Sequence, residues 1–417
     1  MASPVPFKID VPEAKIKRLK QKLALTDYPS EADDAESWHR GPPLKDVKRL
    51  AARWEDGYDW RKAEAQLNRL SQFTTNIDID NFGAFSVHFI HQRSHVANAI
   101  PLCFVHGWPG SFIEVTKIIH KLTHPDSPDQ PAFHVVAPSL INFGFSSECI
   151  KPGFNVTQHA ETCHKLMLQL GYDQYVTQGG DLGYFTTHTM ARMYPDHLKA
   201  IHCNLAVPEK PDAKKHPELH AEVEAHTLTD REKRDLAQTR DVSANLMGYY
   251  RIQETRPALI AISHTDSPVG LLSWIYDVLY HWSDHDHYPW TDDEILTWVS
   301  IYYFGCGIAA SVRIYYESRN MPKDSPAALV RGSPVKPLIG IAHFPVELSS
   351  FPRLWYRTMG NVVHQKEFDV GGHFAAYEQP DLLVGDLREM FGRRGGAEGC
   401  VPGKSGYDGA DSGSGVQ

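Results

Sequence analysis

Gln174-Tyr175-Val176-Thr177-Gln178-Gly179-Gly180-Asp181-Leu182-Gly183 decides the reading of this chain. A short strand-like run ends in two glycines, then a carboxylate, then a third glycine. Small residues on either side of one reactive side chain suit a sharp, strained turn between a strand and a helix, a nucleophile elbow. Serine normally stands at the centre of such a turn; here it is Asp181. A carboxylate attacks saturated carbon, and the alkyl ester it forms must then be hydrolysed. The expected electrophile is therefore a strained or halogenated carbon, not an ordinary ester or amide. The competing reading is a glycine-rich turn in which Asp181 only caps the next helix. The segment alone does not separate the two.

Outward from the elbow, strands alternate with helices. Ala84 to Ile90, Ile100 to Val105 and His134 to Ala137 read as strands before it, and Ala200 to Leu205 as the strand after its helix. Such alternation predicts an α/β fold with a mostly parallel sheet and helices on both faces. It fails over residues 208–325, which are helix-patterned, charged at first and then rich in Trp and Tyr. Strand patterning returns at Pro337 to Ala342 and near Val362 to Val370. A helical insertion in such a sheet is expected to act as a lid. The predicted division is an N-terminal region over 1–83, a first core part over 84–207, a helical lid over 208–325, a second core part over 326–393 and a disordered Gly/Ser/Asp-rich tail over 394–417.

The fold that carries this elbow is the α/β-hydrolase fold, and it assigns further residues by position. His106-Gly107-Trp108-Pro109 follows the strand Ile100 to Val105. The loop there and the residue after the nucleophile each supply one amide to an oxyanion hole, which points to the N–H groups of Trp108 and Leu182. His106 and Pro109 are expected to line the substrate site, with a fixed turn at Pro109. Chain order in this fold is nucleophile, acid, histidine. His373, in Gly371-Gly372-His373-Phe374 after a late strand, fits as the base that takes a proton from water. Glu347, just after the strand Leu338 to Ala342, fits as the acid that orients the imidazole. Glu209 is its rival. Opening an epoxide also needs a neutral donor for the leaving oxygen, which suits tyrosine, but spacing does not select among the lid tyrosines.

Composition narrows the partners. The chain has 417 residues and a net charge of −9, with no basic stripe, so nucleic acid is not an expected partner. Six scattered cysteines form no Cys-x-x-Cys pair and read as reduced thiols of a cytoplasmic protein. The first residues contain no apolar segment of signal-peptide type, and no uncharged run is long enough for a membrane helix. Asp284-His285-Asp286-His287 is read as a solvated loop and not a metal site. Neither cofactor nor metal is expected. A homodimer through the lid or the N-terminal region is left open.

Longer motifs carry a resemblance. They are Gln72-Phe73-Thr74-Thr75, His106-Gly107-Trp108-Pro109-Gly110-Ser111, Gly179-Gly180-Asp181, Asp266-Ser267-Pro268-Val269-Gly270-Leu271 and Gly371-Gly372-His373-Phe374-Ala375-Ala376. On these, from about Pro6 to Phe391, the chain resembles epoxide hydrolases of the microsomal type, including their soluble fungal members. Pro6 to Ile9 and Trp54 to Gln72 look like the family's N-terminal meander. The resemblance implies the triad Asp181, Glu347 and His373. It also implies two ring-opening tyrosines: Tyr249, beside Gln253, Thr255, Arg256 and Pro257, and Tyr315, with Tyr316 as its rival. No membrane anchor of the kind some members carry is expected. The chain departs from the family at Ile141-Asn142-Phe143, where Pro-Gly-Tyr is usual, and at Tyr184, where serine is usual. Both departures are expected to reshape the pocket.

The function expected is hydrolysis of an epoxide to a vicinal diol through an ester on Asp181. The alternatives are a biosynthetic enzyme that opens or cyclises one complex epoxide, and a haloalkane dehalogenase. The dehalogenase is disfavoured by Leu182, because halide needs indole-type donors and a tryptophan is common at that position.

Overall fold

The computed structural model describes residues 3–31, 38–331 and 333–408. The strands are β1 (Val5–Pro6), β2 (Gln72–Ile79), β3 (Gly83–Gln92), β4 (Ile100–Val105), β5 (Phe133–Pro138), β6 (Tyr175–Gly179), β7 (Leu198–Cys203), β8 (Val335–His343) and β9 (Gly360–Glu367). They form one sheet in the order β1-β2-β3-β5-β4-β6-β7-β8-β9. Pairing is antiparallel from β1 to β5 and parallel from β5 through β9. Central β4, Ile-Pro-Leu-Cys-Phe-Val, is buried at every position, as a parallel strand covered on both faces must be. β2 alternates buried and open positions, as a strand with one solvated face does.

The expected α/β fold is present, but the boundary at residue 83 is corrected. β1 and β2 lie in the supposed meander and extend the sheet. Sequence patterning misses β2 because Asn76 and Asp78, turn formers depleted in strands, interrupt its run of Phe, Thr and Ile.

The remainder of the N-terminal region is helical, at Glu13–Ala24, Leu44–Glu55 and Trp60–Leu67, and these helices pack on the lid. The Trp54 indole donates to Ser300 Oγ at 3.0 Å, and the Tyr58 and Thr297 hydroxyls pair at 3.0 Å. Arg49 pairs with Asp292, and Arg53 with Asp293 at 2.7 Å. The exposed ion pairs add little each, roughly 0–1 kcal/mol. Buried Trp54 matters more, since truncating a core tryptophan costs about 3–5 kcal/mol.

The lid contains helices from Pro217 to Arg319. Its helix Asp292–Phe304 is fixed to the core through the loop after β4: Trp298 Nε1 donates to Pro109 O at 2.6 Å, and the Tyr302 hydroxyl to Gly110 O at 2.8 Å. The lid is thus anchored beside the elbow it covers. Among the described residues no single helix is long and apolar enough to cross a membrane; one bent pair, Asp292–Phe304 with Ile308–Arg319, passes on length and composition alone.

The tail is a second correction. Residues 394–408 are packed, with Ala397 and Val401 buried and Tyr407 nearly so. Ala132 N donates to Gly406 O and Gly406 N to Asn98 O, both at 2.8 Å. Composition predicts disorder there, but three spaced apolar side chains and a few backbone bonds fix the segment. Residues 409–417 lie outside the described residues.

Candidate active site

Asp181 sits between β6 and the helix Leu182–Met193 with φ +50° and ψ −126°. A non-glycine residue there is strained. The strain is held by close packing: a Cβ on Gly183 would lie 2.0 Å from Val105 O. Asp181 makes no side-chain cap on its helix, so the capping reading fails. Its carboxylate turns back toward the loop after β4, where Trp108 N donates to Oδ1 at 2.7 Å. The Leu182 amide also faces the carboxyl. These are the two amides assigned from sequence. Gly107 permits the approach, because a Cβ there would meet Asp181 at 2.5 Å. The Trp108–Pro109 peptide is cis.

His373 follows β9 and is held by Trp282 O, which accepts from its N–H at 2.9 Å. Its Nε2 lies 3.9 Å from Asp181 Oδ2. Its Nδ1 is 2.6 Å from Oε1 of Glu347, which follows β8. Both side chains are buried. Burial opposes a charge on His373, but Glu347, by charge and hydrogen bond, and the Asp181 carboxylate override it and lift the imidazole to about 9. Burial raises the Asp181 carboxyl, while His373 and the Trp108 and Leu182 amides pull it down. The rival Glu209 lies apart, paired with Lys215 at 3.3 Å.

The lid tyrosines face Asp181 across a cavity of about 500 Å³ whose walls include Leu182, Phe185, Val242, Met247, Tyr249 and Tyr315. Such a volume suits a drug-sized molecule. Tyr249 stacks on the Trp108 indole at 5.2 Å, and Tyr315 stands edge-on to the same ring at 5.7 Å. Tyr315 is 5% exposed and its buried hydroxyl has no hydrogen-bond partner among the described residues. Tyr316 is 43% exposed and does not line the cavity. Burial raises both Tyr249 and Tyr315 far above 10, so both stay protonated donors.

Other expectations are corrected. Neither His106 nor Pro109 lines a cavity at Asp181. Buried His106 donates from Nδ1 to Gly107 O at 2.9 Å and accepts at Nε2 from Leu140 N at 3.1 Å. That double role needs a neutral ring, and burial lowers it to about 4. Pro109 is the lid anchor described above. Residues 141–143 and Tyr184 do not line the cavity either. Tyr184 lies behind the wall, its hydroxyl 3.5 Å from the carbonyl of Val207, which is itself a wall residue.

Sequence reading misses the supports of the histidine loop. Asn204 Nδ2 donates to His373 O at 3.1 Å and Gln178 Nε2 to Asn204 Oδ1 at 2.9 Å. Asp284 Oδ2 accepts from Gly371 N at 2.7 Å, and Glu378 accepts from Phe374 N at 2.9 Å and Asp284 N at 2.8 Å. The Asp-His-Asp-His run is therefore a clasp between lid and catalytic loop. No group of residues suited to a metal occurs among the described residues.

Sheet order, elbow and lid define an α/β-hydrolase with a carboxylate at the elbow. Comparisons with known proteins give the family. Residues 4–115 match the epoxide hydrolase N terminus family and 100–242 the alpha/beta hydrolase fold family. A Stigmatella aurantiaca protein, provisionally named an epoxide hydrolase, is 37% identical over 93% of this chain and 84% of its own. Epoxide hydrolase 1 of Sus scrofa is 31% identical over 93% and 88%. The Aspergillus niger epoxide hydrolase structure superposes with a TM-score of 0.80 at 29% identity, covering 93% of this chain and 95% of that one. The chain belongs to the epoxide hydrolase family.

Proposed function

We propose that this epoxide hydrolase works in two covalent half-reactions on Asp181. In the first, Asp181 Oδ2 attacks a ring carbon of the epoxide. The ring C–O bond breaks, and the oxygen takes a proton from Tyr249 or Tyr315. In the second, water attacks the ester carbonyl carbon of Asp181 and gives a proton to His373 Nε2. Negative charge collects on Oδ1, against the Trp108 and Leu182 amides. The acyl C–O bond then breaks, His373 gives its proton to the leaving diol oxygen, and the acid proton left on Asp181 returns to the tyrosinate as the diol leaves.

The observation that carries this reading is the split environment of one carboxylate. Oδ1 is already held by an oxyanion-hole amide, while Oδ2 faces the imidazole at 3.9 Å. Forming the ester removes the Asp181 charge that adds to the Glu347 rise, which moves the imidazole toward the neutral form a base needs. The large cavity with tyrosine hydroxyls opposite Asp181 supports a neutral small-molecule epoxide as substrate. Six free cysteines support a reducing, cytoplasmic location.

The test is intact-protein mass spectrometry of His373→Gln mixed with styrene oxide. One added substrate mass, mapped to the Asp181 peptide, is expected. Full turnover without an adduct, or an adduct on another residue, contradicts the mechanism.

A further inference from the structure

The mechanism leaves one buried carboxyl without a task. Glu114 begins the turn that follows the loop His106–Ser111, inside the helix Phe112–Lys117. Its Oε1 is buried and has no hydrogen-bond partner among the described residues, while the main-chain amides of Gly107 and Ser111 face the carboxyl. The fit against the loop is close, since a Cβ on Gly110 would lie 1.7 Å from Glu114 Oε1. Gly107 admits the Asp181 carboxyl and Gly110 admits that of Glu114, so the two glycines of the motif bring two carboxyl groups to one loop.

Between these carboxyls lies a second cavity, separate in shape from the large one. It is walled by Gly107, Trp108, Glu114, Gln178, Asp181 and His373 among others, and leaves about 10 Å³ for the centre of a water molecule. That is room for about one water, which is stable in a buried site only when it finds two to four polar partners. Three polar atoms of the wall residues are buried and have no partner among the described residues: Glu114 Oε1, Gln178 Oε1 and Trp108 Nε1. Leaving each unsatisfied would cost about 1–3 kcal/mol. The wall also holds the acceptor carbon, Asp181 Cγ, and the base, His373. The substrate cavity touches Asp181 from its other side, next to Leu182, Tyr249 and Tyr315.

We propose that Glu114 binds the hydrolytic water and aims it at the Asp181 ester. One water O–H points to Glu114 Oε1 and the other to His373 Nε2, which leaves a lone pair directed at Cγ. As the new C–O bond forms, the proton moves to His373; Glu114 keeps its own proton. Burial pushes the Glu114 carboxyl up to about 8; His373 opposes the rise and Asp181 adds to it. A neutral carboxyl here avoids a second negative charge beside the nucleophile, and it can accept a hydrogen bond from water without competing for the proton. This assignment rests on the covalent reading and gives the water its own chamber behind the nucleophile.

Rapid-quench single turnovers with styrene oxide test it. Epoxide loss reads alkylation and diol release reads hydrolysis. Glu114→Leu is expected to alkylate at close to the wild-type rate with full amplitude, which also shows that it folds, and to release diol about 10²-fold more slowly, within the range for losing one positioned group. Its kcat and KM fall together. Glu114→Gln, which retains an acceptor, is expected to stay within about tenfold. If Glu114→Leu does not fold, Glu114→Ala carries the same comparison. Equal slowing of both steps, unchanged diol release, or a Gln variant as slow as Leu overturns the assignment. His373→Gln is the control: an adduct there but none in the Glu114 variants sinks only the Glu114 role, whereas no adduct in either sinks the covalent reading.

Discussion

The floor and the roof of this active site are built in different ways. On the floor, Asp181, Glu347 and His373 follow the parallel strands β6, β8 and β9 of one sheet, and main-chain amides complete the hole. The contacts that hold Asp181 Oδ1 and the imidazole are made before substrate arrives, and a 3.9 Å gap separates His373 from Asp181. On the roof, Tyr249 and Tyr315 come from two lid helices, Gly248–Thr255 and Arg313–Arg319. They are positioned by packing on Trp108, Tyr249 stacked and Tyr315 edge-on, and the buried Tyr315 hydroxyl has no partner among the described residues. The floor is therefore fixed by backbone geometry and hydrogen bonds, and the roof by aromatic packing. The first suits a group that must hold strain and charge. The second suits donors that meet an oxygen whose position changes with substrate.

The largest effects should come from the floor. Asp181→Ala should lower kcat/KM by about 10⁴-fold or more, as losses of a nucleophile do, while leaving the melting temperature near wild type or higher because a strained buried carboxylate is gone. Measurable alkylation in that variant would place the nucleophile elsewhere. On the roof, Tyr249→Phe and Tyr315→Phe should each slow epoxide consumption by about 10–10²-fold, since the remaining hydroxyl still donates. The double variant should lose far more than either. One single variant as slow as the double, with the other near wild type, would mean that one tyrosine does all the donation.

Smaller effects sharpen the contrast. His373 is lifted to about 9 in the resting enzyme, partly by the Asp181 charge. Diol release needs the neutral ring, so it should rise with pH. Its midpoint should lie below 9, because the ester no longer carries that charge. A pH–rate profile of diol release with its midpoint at or above 9 would break this coupling. Tyr316→Phe should change kcat/KM less than about twofold in steady-state assays, since its side chain is solvent-exposed; a loss matching Tyr315→Phe would reassign the donor.

The same division decides what sequence could reveal. Floor residues are legible because strand ends are, and because chain order fixes which end carries which group. Glu347 beats Glu209 on that ground, and the structure separates them too. The roof has no such order. Many aromatic residues share helical spacing in the lid, most pack into its core, and only the family resemblance picks Tyr249 and Tyr315. His106 is not placed by sequence, because a histidine in a functional loop reads the same whether its ring faces substrate or ties two loops together. Glu114 is silent in the sequence for the opposite reason: an ordinary helix-start glutamate acquires its position only when Gly110 lets the loop close on it. β2 and the tail were misread because polar alternation and Gly-rich composition ignore the backbone bonds that hold them.

A single turnover in oxygen-18 water, with enzyme in excess over styrene oxide, tests the central claim most directly. The account predicts a first-turnover diol without label and one labelled oxygen in the Asp181 carboxyl, because water attacks Cγ and not the ring. Label in the first-turnover diol, with Asp181 unlabelled, would mean direct attack of water on the epoxide and would contradict the covalent mechanism.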